Sequence, residues 1–150
     1  VLNASPISDE LLNADLSGVD WLVVNEIECA AMAGCGDAQA GYETLKQRYP
    51  SLGILLTLGA EGSVSWKDGV EVRQCAYPVK AVDTTGAGDI FGGSAVSRLL
   101  QLGRAPEALT EDELTAIGRF AATAASLSTQ YPGGISAIVP EETVLRCMEG

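Results

Sequence analysis

Apolar runs of strand length alternate with stretches of helical period along most of this chain. Trp21–Val24 is a short apolar run followed at once by polar Asn25, and Gly53–Leu58 is a continuous apolar run. Runs of that kind, without polar alternation, belong to strands buried on both faces of a parallel sheet. Between them, Glu26–Met32 reads as a helix stopped by Gly34-Cys35-Gly36, and Asp37–Tyr49 as a second helix ended by Pro50. Ser8–Asn13 reads as a short helix, and Val1-Leu2-Asn3 as the end of a strand already under way. Ser63–Trp66 and Val70–Cys75 alternate polar with apolar on either side of Lys67-Asp68-Gly69. Asp-Gly between alternating runs is a hairpin signal, here with Val64 and Trp66 on one face, and likewise Val70 and Val72.

Two longer helices follow. The first spans about Ala87–Leu102, with Phe91, Ala95 and Leu99 on one stripe and Gly103 as its stop. The second begins at Thr110-Glu111-Asp112-Glu113, a capping box, and repeats Leu114, Ile117, Ala121 and Ala124 at helical spacing. Small residues crowd its second half, so a close neighbour is expected there. A loop, Tyr131–Ser136, leads to a last helix near Glu141–Cys147. The alternation predicts an α/β fold with a mostly parallel sheet and one antiparallel hairpin.

Composition narrows the chemistry. The 150 residues make about one domain, and 47% hydrophobic against 19% charged residues is a globular balance. A net charge of −11 argues against nonspecific binding to nucleic acid or an anionic membrane. Histidine is absent, which removes Ser-His-Asp and Cys-His catalysis and His-ligated metals from this stretch. Cys29, Cys35, Cys75 and Cys147 form no C-x-x-C pair. They read as reduced, buried small hydrophobes, which predicts a cytoplasmic setting. The longest charge-free stretch, Phe120–Pro140, is too polar to span a membrane, and no signal peptide opens the chain. Trp21 and Trp66 read as packing residues, since no basic residues interleave with them.

The candidate chemistry lies at Val82-Asp83-Thr84-Thr85-Gly86-Ala87-Gly88-Asp89, where a loop opens a helix. Gly86 and Gly88 let the backbone bend so that several N–H groups point into one space. The positive end of the helix dipole lies behind them, which makes an anion hole suited to a transferring phosphoryl group. Asp89 at its edge can take a proton from an attacking hydroxyl. Lys46, Lys67 and Lys80 are not followed by Ser or Thr, so no Walker A loop is present. Phe91 stands where a dinucleotide fingerprint needs its third glycine, which counts against a nicotinamide-dependent oxidoreductase. Taken alone, an Asp in a first helical turn is favoured by the dipole, and Asn25-x-x-Glu28 is a helix N-cap with Glu at its third position.

Asp83-Thr84-Thr85-Gly86-Ala87-Gly88-Asp89, followed by Phe91 and Gly93, resembles the C-terminal signature of the ribokinase-like (PfkB-type) carbohydrate kinases. Asn25-Glu26-Ile27-Glu28 resembles that family's N-x-x-E motif, and Thr57-Leu58-Gly59-Ala60-Glu61-Gly62 its T-x-G-x-x-G turn. Ala121–Ser136, ending Pro132-Gly133-Gly134-Ile135-Ser136, is similar to the helix and loop that close its adenine side, and Leu2-Asn3-Ala4-Ser5-Pro6 to its N-P-x-P strand end.

The resemblance implies a ribokinase-like three-layer fold, of which residues 1–150 are the C-terminal nucleotide-binding and catalytic portion. It implies an N-terminal half, with sugar site and lid, lying outside this chain, and an isolated portion that is inactive. Asp89 would be the catalytic base and Gly86, Ala87 and Gly88 the anion hole. Thr57, Gly59, Gly62 and Thr85 would bind the nucleotide. Asn25 and Glu28 would act on magnesium through water, while Asp83 and the backbone at Thr85 would face a monovalent cation such as potassium. The implied substrates are ATP and a sugar, ribose first, then fructose or ketodeoxygluconate, and the implied whole protein is a homodimer. A nucleoside kinase of the same family and a non-catalytic nucleotide-binding pseudokinase are the alternatives. The intact Asp89 and glycines count against the pseudokinase.

Overall fold

The computed structural model describes residues 1–103 and 109–149 of the chain. Five strands form one sheet in the order β1 (Leu2–Asn3), β2 (Trp21–Asn25), β3 (Gly53–Thr57), β4 (Ser63–Lys67) and β5 (Val70–Gln74). β1, β2 and β3 pair in parallel, and β4 pairs antiparallel with both β3 and β5. Four of the five strands therefore point one way. The hairpin turn falls at Asp68-Gly69, both with positive φ, as its sequence demands.

Among the described residues six α-helices sandwich the sheet: α1 (Asp9–Leu12), α2 (Glu26–Ala33), α3 (Ala38–Arg48), α4 (Ala87–Gln101), α5 (Glu111–Ser128) and α6 (Glu141–Glu149). Strand side chains alternate between faces, so each strand feeds two cores. Leu22, Val24, Ile54, Leu56, Val64 and Trp66 face α2 and α3, where they meet Cys29, Met32, Tyr42 and Leu45. Trp21, Val23, Leu55 and Val72 face α4 and α5, where they meet Phe91, Ala95, Leu114 and Ile117. Each such side chain, fully removed from water, contributes about 1.5–3 kcal/mol. Two glycines permit close approach. A Cβ on Gly53 would lie 2.4 Å from the Trp21 ring opposite it, and one on Gly92 would lie 3.1 Å from Val23. α6 docks on the outer side of α5 through Val144, and Arg98 of α4 stacks over Phe120 of α5 while pairing with Glu141 at 2.7 Å.

β4 alternates polar with apolar residues, and Ser63, Ser65 and Lys67 are as buried as Val64 and Trp66. α5 lies across the polar face, with Gly118 close to Ser65 and Gln74. The expectation that all four cysteines are buried needs correction. Of the four cysteines only Cys29 is fully buried, its thiol pushed up to about 12, chiefly by burial and then by Cys35. Cys35 and Cys147 are half-buried and Cys75 is exposed, because it follows the last residue of β5. No described helix is long and apolar enough to cross a membrane.

Candidate active site

The three parallel strands end on polar residues at one edge of the sheet: Asn3, Asn25 and Thr57. In α/β sheets ligands bind beyond the carboxyl ends of such strands. The N-termini of α2 and α4 reach the same edge. All three residues line a small polar hollow of about 190 Å³, together with Glu28, Gly88 and Asp89. Thr57 and Gly88 also line a second, larger and mostly apolar cleft of about 510 Å³. The two spaces share those two residues on their walls.

α2 starts with a completed capping box. The Asn25 side-chain oxygen accepts from the Glu28 amide at 2.9 Å, and Glu28 Oε2 accepts from the Asn25 amide at 2.9 Å. Glu28 is buried by this exchange, with its carboxylate at the polar hollow. α4 starts differently. Its cap residue Gly86 is left-handed, with φ 75°, and offers no side chain. The amides of Gly88 and Asp89 find no acceptor among the described residues, while the Ile90 amide donates to the Gly86 carbonyl at 2.9 Å. Free amides at the positive end of a 15-residue helix suit an anion.

Only one of the two loop glycines bends the chain. Gly88 lies in the first turn of α4 without positive φ, and a Cβ there would meet nothing within 4 Å. Its value lies in the open space above it. At Gly86 a Cβ would approach Gly134 Cα to 3.0 Å, so the loops before α4 and after α5 pass in near contact.

Asp83 joins those loops. One carboxylate oxygen accepts from the Thr85 amide at 2.9 Å and the Thr85 hydroxyl at 2.7 Å; the other accepts from the Gly133 amide at 2.8 Å. The Gly133 bond, then those of Thr85, hold its carboxyl down at about 2. Asp83 and Thr85 line neither hollow. Thr84 and Ala87 stand on the large cleft instead, beside Gly59 and Gly62. The turn carrying those two glycines is pinned at Gly62, φ 108°, where a Cβ would collide with the Gln74 carbonyl oxygen at 1.9 Å. Only glycine lets it fold against the end of β5.

The sequence reading missed two parts of this site. The wall that Tyr77, Pro78 and Val79 give the large cleft comes from a segment after β5 that carries no motif. Ala122 and Ala125 of α5, on the helix that the resemblance sets at the adenine side, line the same cleft. The second is Asn3, whose amide nitrogen donates to Asp89 Oδ1 at 3.0 Å.

The donor set can be tested against the implied ligands. Asn25 and Glu28 supply one carboxylate at the hollow, and among the described residues no cluster of three or more acidic or sulfur ligands exists. That suits magnesium held through its own waters beside a phosphate, rather than an all-protein cage. Asp83 already accepts three hydrogen bonds and is satisfied without a cation.

Known proteins resemble this chain in sequence and fold. A ribokinase of Haemophilus influenzae is 31% identical over 99% of this chain and 47% of its own length. The solved ribokinase of Giardia lamblia superposes with a TM-score of 0.84 at 29% identity, over 98% of this chain and 49% of that one. The Arabidopsis thaliana ribokinase solved with ribose and ATP superposes at 0.73 and 27% identity, over 97% and 45%. The chain thus spans about half the length of the relatives it matches. Residues 1–142 match the family described as pfkB family carbohydrate kinase, and this chain belongs to that family.

Proposed function

We propose that this chain is the nucleotide-binding and catalytic portion of an ATP-dependent sugar kinase. The observation that carries the reading is the meeting of the two hollows at Gly88, with Asp89 beside it and two free amides in between. The apolar cleft has the volume and walls for a nucleoside. The polar hollow has a carboxylate for a hydroxyl and a helix end for phosphate. The ATP and ribose named in the Arabidopsis ribokinase structure support both assignments.

In this reading Asp89 accepts the proton of a sugar hydroxyl as its oxygen bonds to the γ-phosphorus. The bond from that phosphorus to the β-phosphate oxygen breaks, and ADP leaves with the electron pair. The Gly88 and Asp89 amides stabilise charge on the phosphoryl oxygens. Asn25 and Glu28 would hold magnesium through its waters, and the ion would supply neutralisation of phosphate charge. Thr57, Gly59 and Gly62 flank the nucleotide, and Asp83 with Thr85 braces the loop, with potassium dependence as the check on a cation there. Ribose is the first sugar to assay, then fructose and ketodeoxygluconate. The free cysteines suit a reducing compartment.

Asp89→Asn in the full-length protein tests the reading. It should leave nucleotide and sugar binding nearly unchanged and lower kcat by about 10² to 10⁴, the span for losing a general base. A variant keeping half the kcat removes Asp89 from the chemistry.

A further inference from the structure

Asp89 is tied to the far end of the described chain. Asn3, the last residue of the edge strand β1, donates from Nδ2 to Asp89 Oδ1 at 3.0 Å across 86 residues of sequence. The other end of the same amide is also engaged, because Asn3 Oδ1 accepts from the Ser5 amide at 3.2 Å. An amide carries its acceptor and donors on opposite arms. Fixing the oxygen toward Ser5 therefore turns the NH₂ group toward Asp89. The carboxylate has its Oδ1 occupied, while no described group donates to Oδ2.

We infer that Asn3 is a positioning residue for Asp89, holding Oδ1 so that Oδ2 is the oxygen that receives the proton of the acceptor hydroxyl. The inference deepens the kinase reading and rests on it. Asn3 and Asp89 are both exposed, so their bond contributes little to stability. Its effect is on geometry: a free aspartate in a first helical turn samples several rotamers, and a base must meet its proton within hydrogen-bond reach. Both residues line the polar hollow with Asn25 and Glu28, so the orientation is set where the hydroxyl must arrive.

The test is a double-mutant cycle in the full-length protein, with kcat, the sugar KM and the affinity for a non-hydrolysable ATP analogue measured throughout. Asn3→Ala should lower kcat about 10- to 100-fold, the scale of a misplaced reacting group. Nucleotide affinity and the sugar KM should stay within twofold, and the melting temperature should hardly move. Asn3→Asp keeps the shape and the acceptor toward Ser5 but sets a second carboxylate against Asp89, and should cost at least as much. Combined with Asp89→Asn, neither change should lower kcat further, because the group it orients has gone. Full kcat in Asn3→Ala overturns the positioning role and leaves Asp89 as the base. Independent, multiplying losses in the double variant also overturn it. Full kcat in Asp89→Asn overturns both readings, so the two failures are distinguishable. Should Asn3→Ala fail to fold, the near-isosteric Asn3→Asp carries the same comparison.

Discussion

α2 and α4 begin at the same edge of the sheet and line the same hollow, yet their first turns are built in opposite ways. α2 closes on itself: Asn25 and Glu28 satisfy one another's amides and bury the carboxylate. α4 opens on a left-handed glycine, keeps two amides unspent and leaves Asp89 exposed. The capping box stabilises the fold but spends the third-position amide, that of Glu28, whose counterpart in α4, the Asp89 amide, stays open. An uncapped terminus forgoes about 1 kcal/mol of capping and keeps that donor. In this chain the missing cap is the informative feature, and the capped neighbour shows that the fold can supply a cap at that edge.

The sharpest way to break the comparison is to fill the open end. Gly88→Val places a side chain in the space shared by the two hollows without requiring positive φ. The protein should fold normally and lose anion stabilisation worth roughly 2.7–4 kcal/mol in kcat, with weakened nucleotide binding. Calorimetry with an ATP analogue and steady-state rates check this, and wild-type values would mean the phosphate lies elsewhere.

Opening the closed end should act on stability first. Asn25→Ala removes the cap and should cost about 1 kcal/mol in chemical denaturation. Glu28→Gln is the finer probe, since Gln serves equally at the third position of a capping box. Its stability should move by only a few tenths of a kcal/mol, while the magnesium concentration for half-maximal rate rises and kcat falls. An unchanged magnesium titration would make Glu28 a cap and nothing more.

The smallest effect expected is at Asp83, which braces the loop in front of α4. Its carboxyl is held at about 2 in the folded protein, below the ordinary 3.8. A depressed carboxyl contributes stability that is present above the unfolded value and lost as pH falls through the folded one. Protection of the Gly133 amide from hydrogen exchange should be level above pH 4 and decline between pH 4 and 2. Asp83→Asn should remove that pH dependence. A level profile in wild type would show that the loop is held by other contacts.

What could be read from the sequence was local or continuous. Both capping boxes, at Asn25 and Thr110, lie within four residues, and the glycine loop before α4 is one uninterrupted string. Buried strands announced themselves at Trp21–Val24 and Gly53–Leu58 because a doubly covered strand has no polar face to hide. β4 shows the limit of such patterns: its alternation says which residues share a face, and only the packing of α5 buries the serines. Asn3 meets Asp89, and Asp83 meets Gly133 across 50 residues, by chain reversal that no local pattern encodes. The large cleft is likewise a gap between elements, and a gap leaves no residue pattern of its own.

The two tryptophans have a consequence for watching this protein fold. They are its only indoles, both are buried, and the sheet lies between them: Trp21 sits under α4 and α5, Trp66 under α2 and α3. Each helical layer thus carries one intrinsic fluorophore. With either indole replaced by phenylalanine, the emission left behind reports one side of the sheet alone. Coincident transitions in the two variants would mark one cooperative unit, and separated ones would show a layer letting go first.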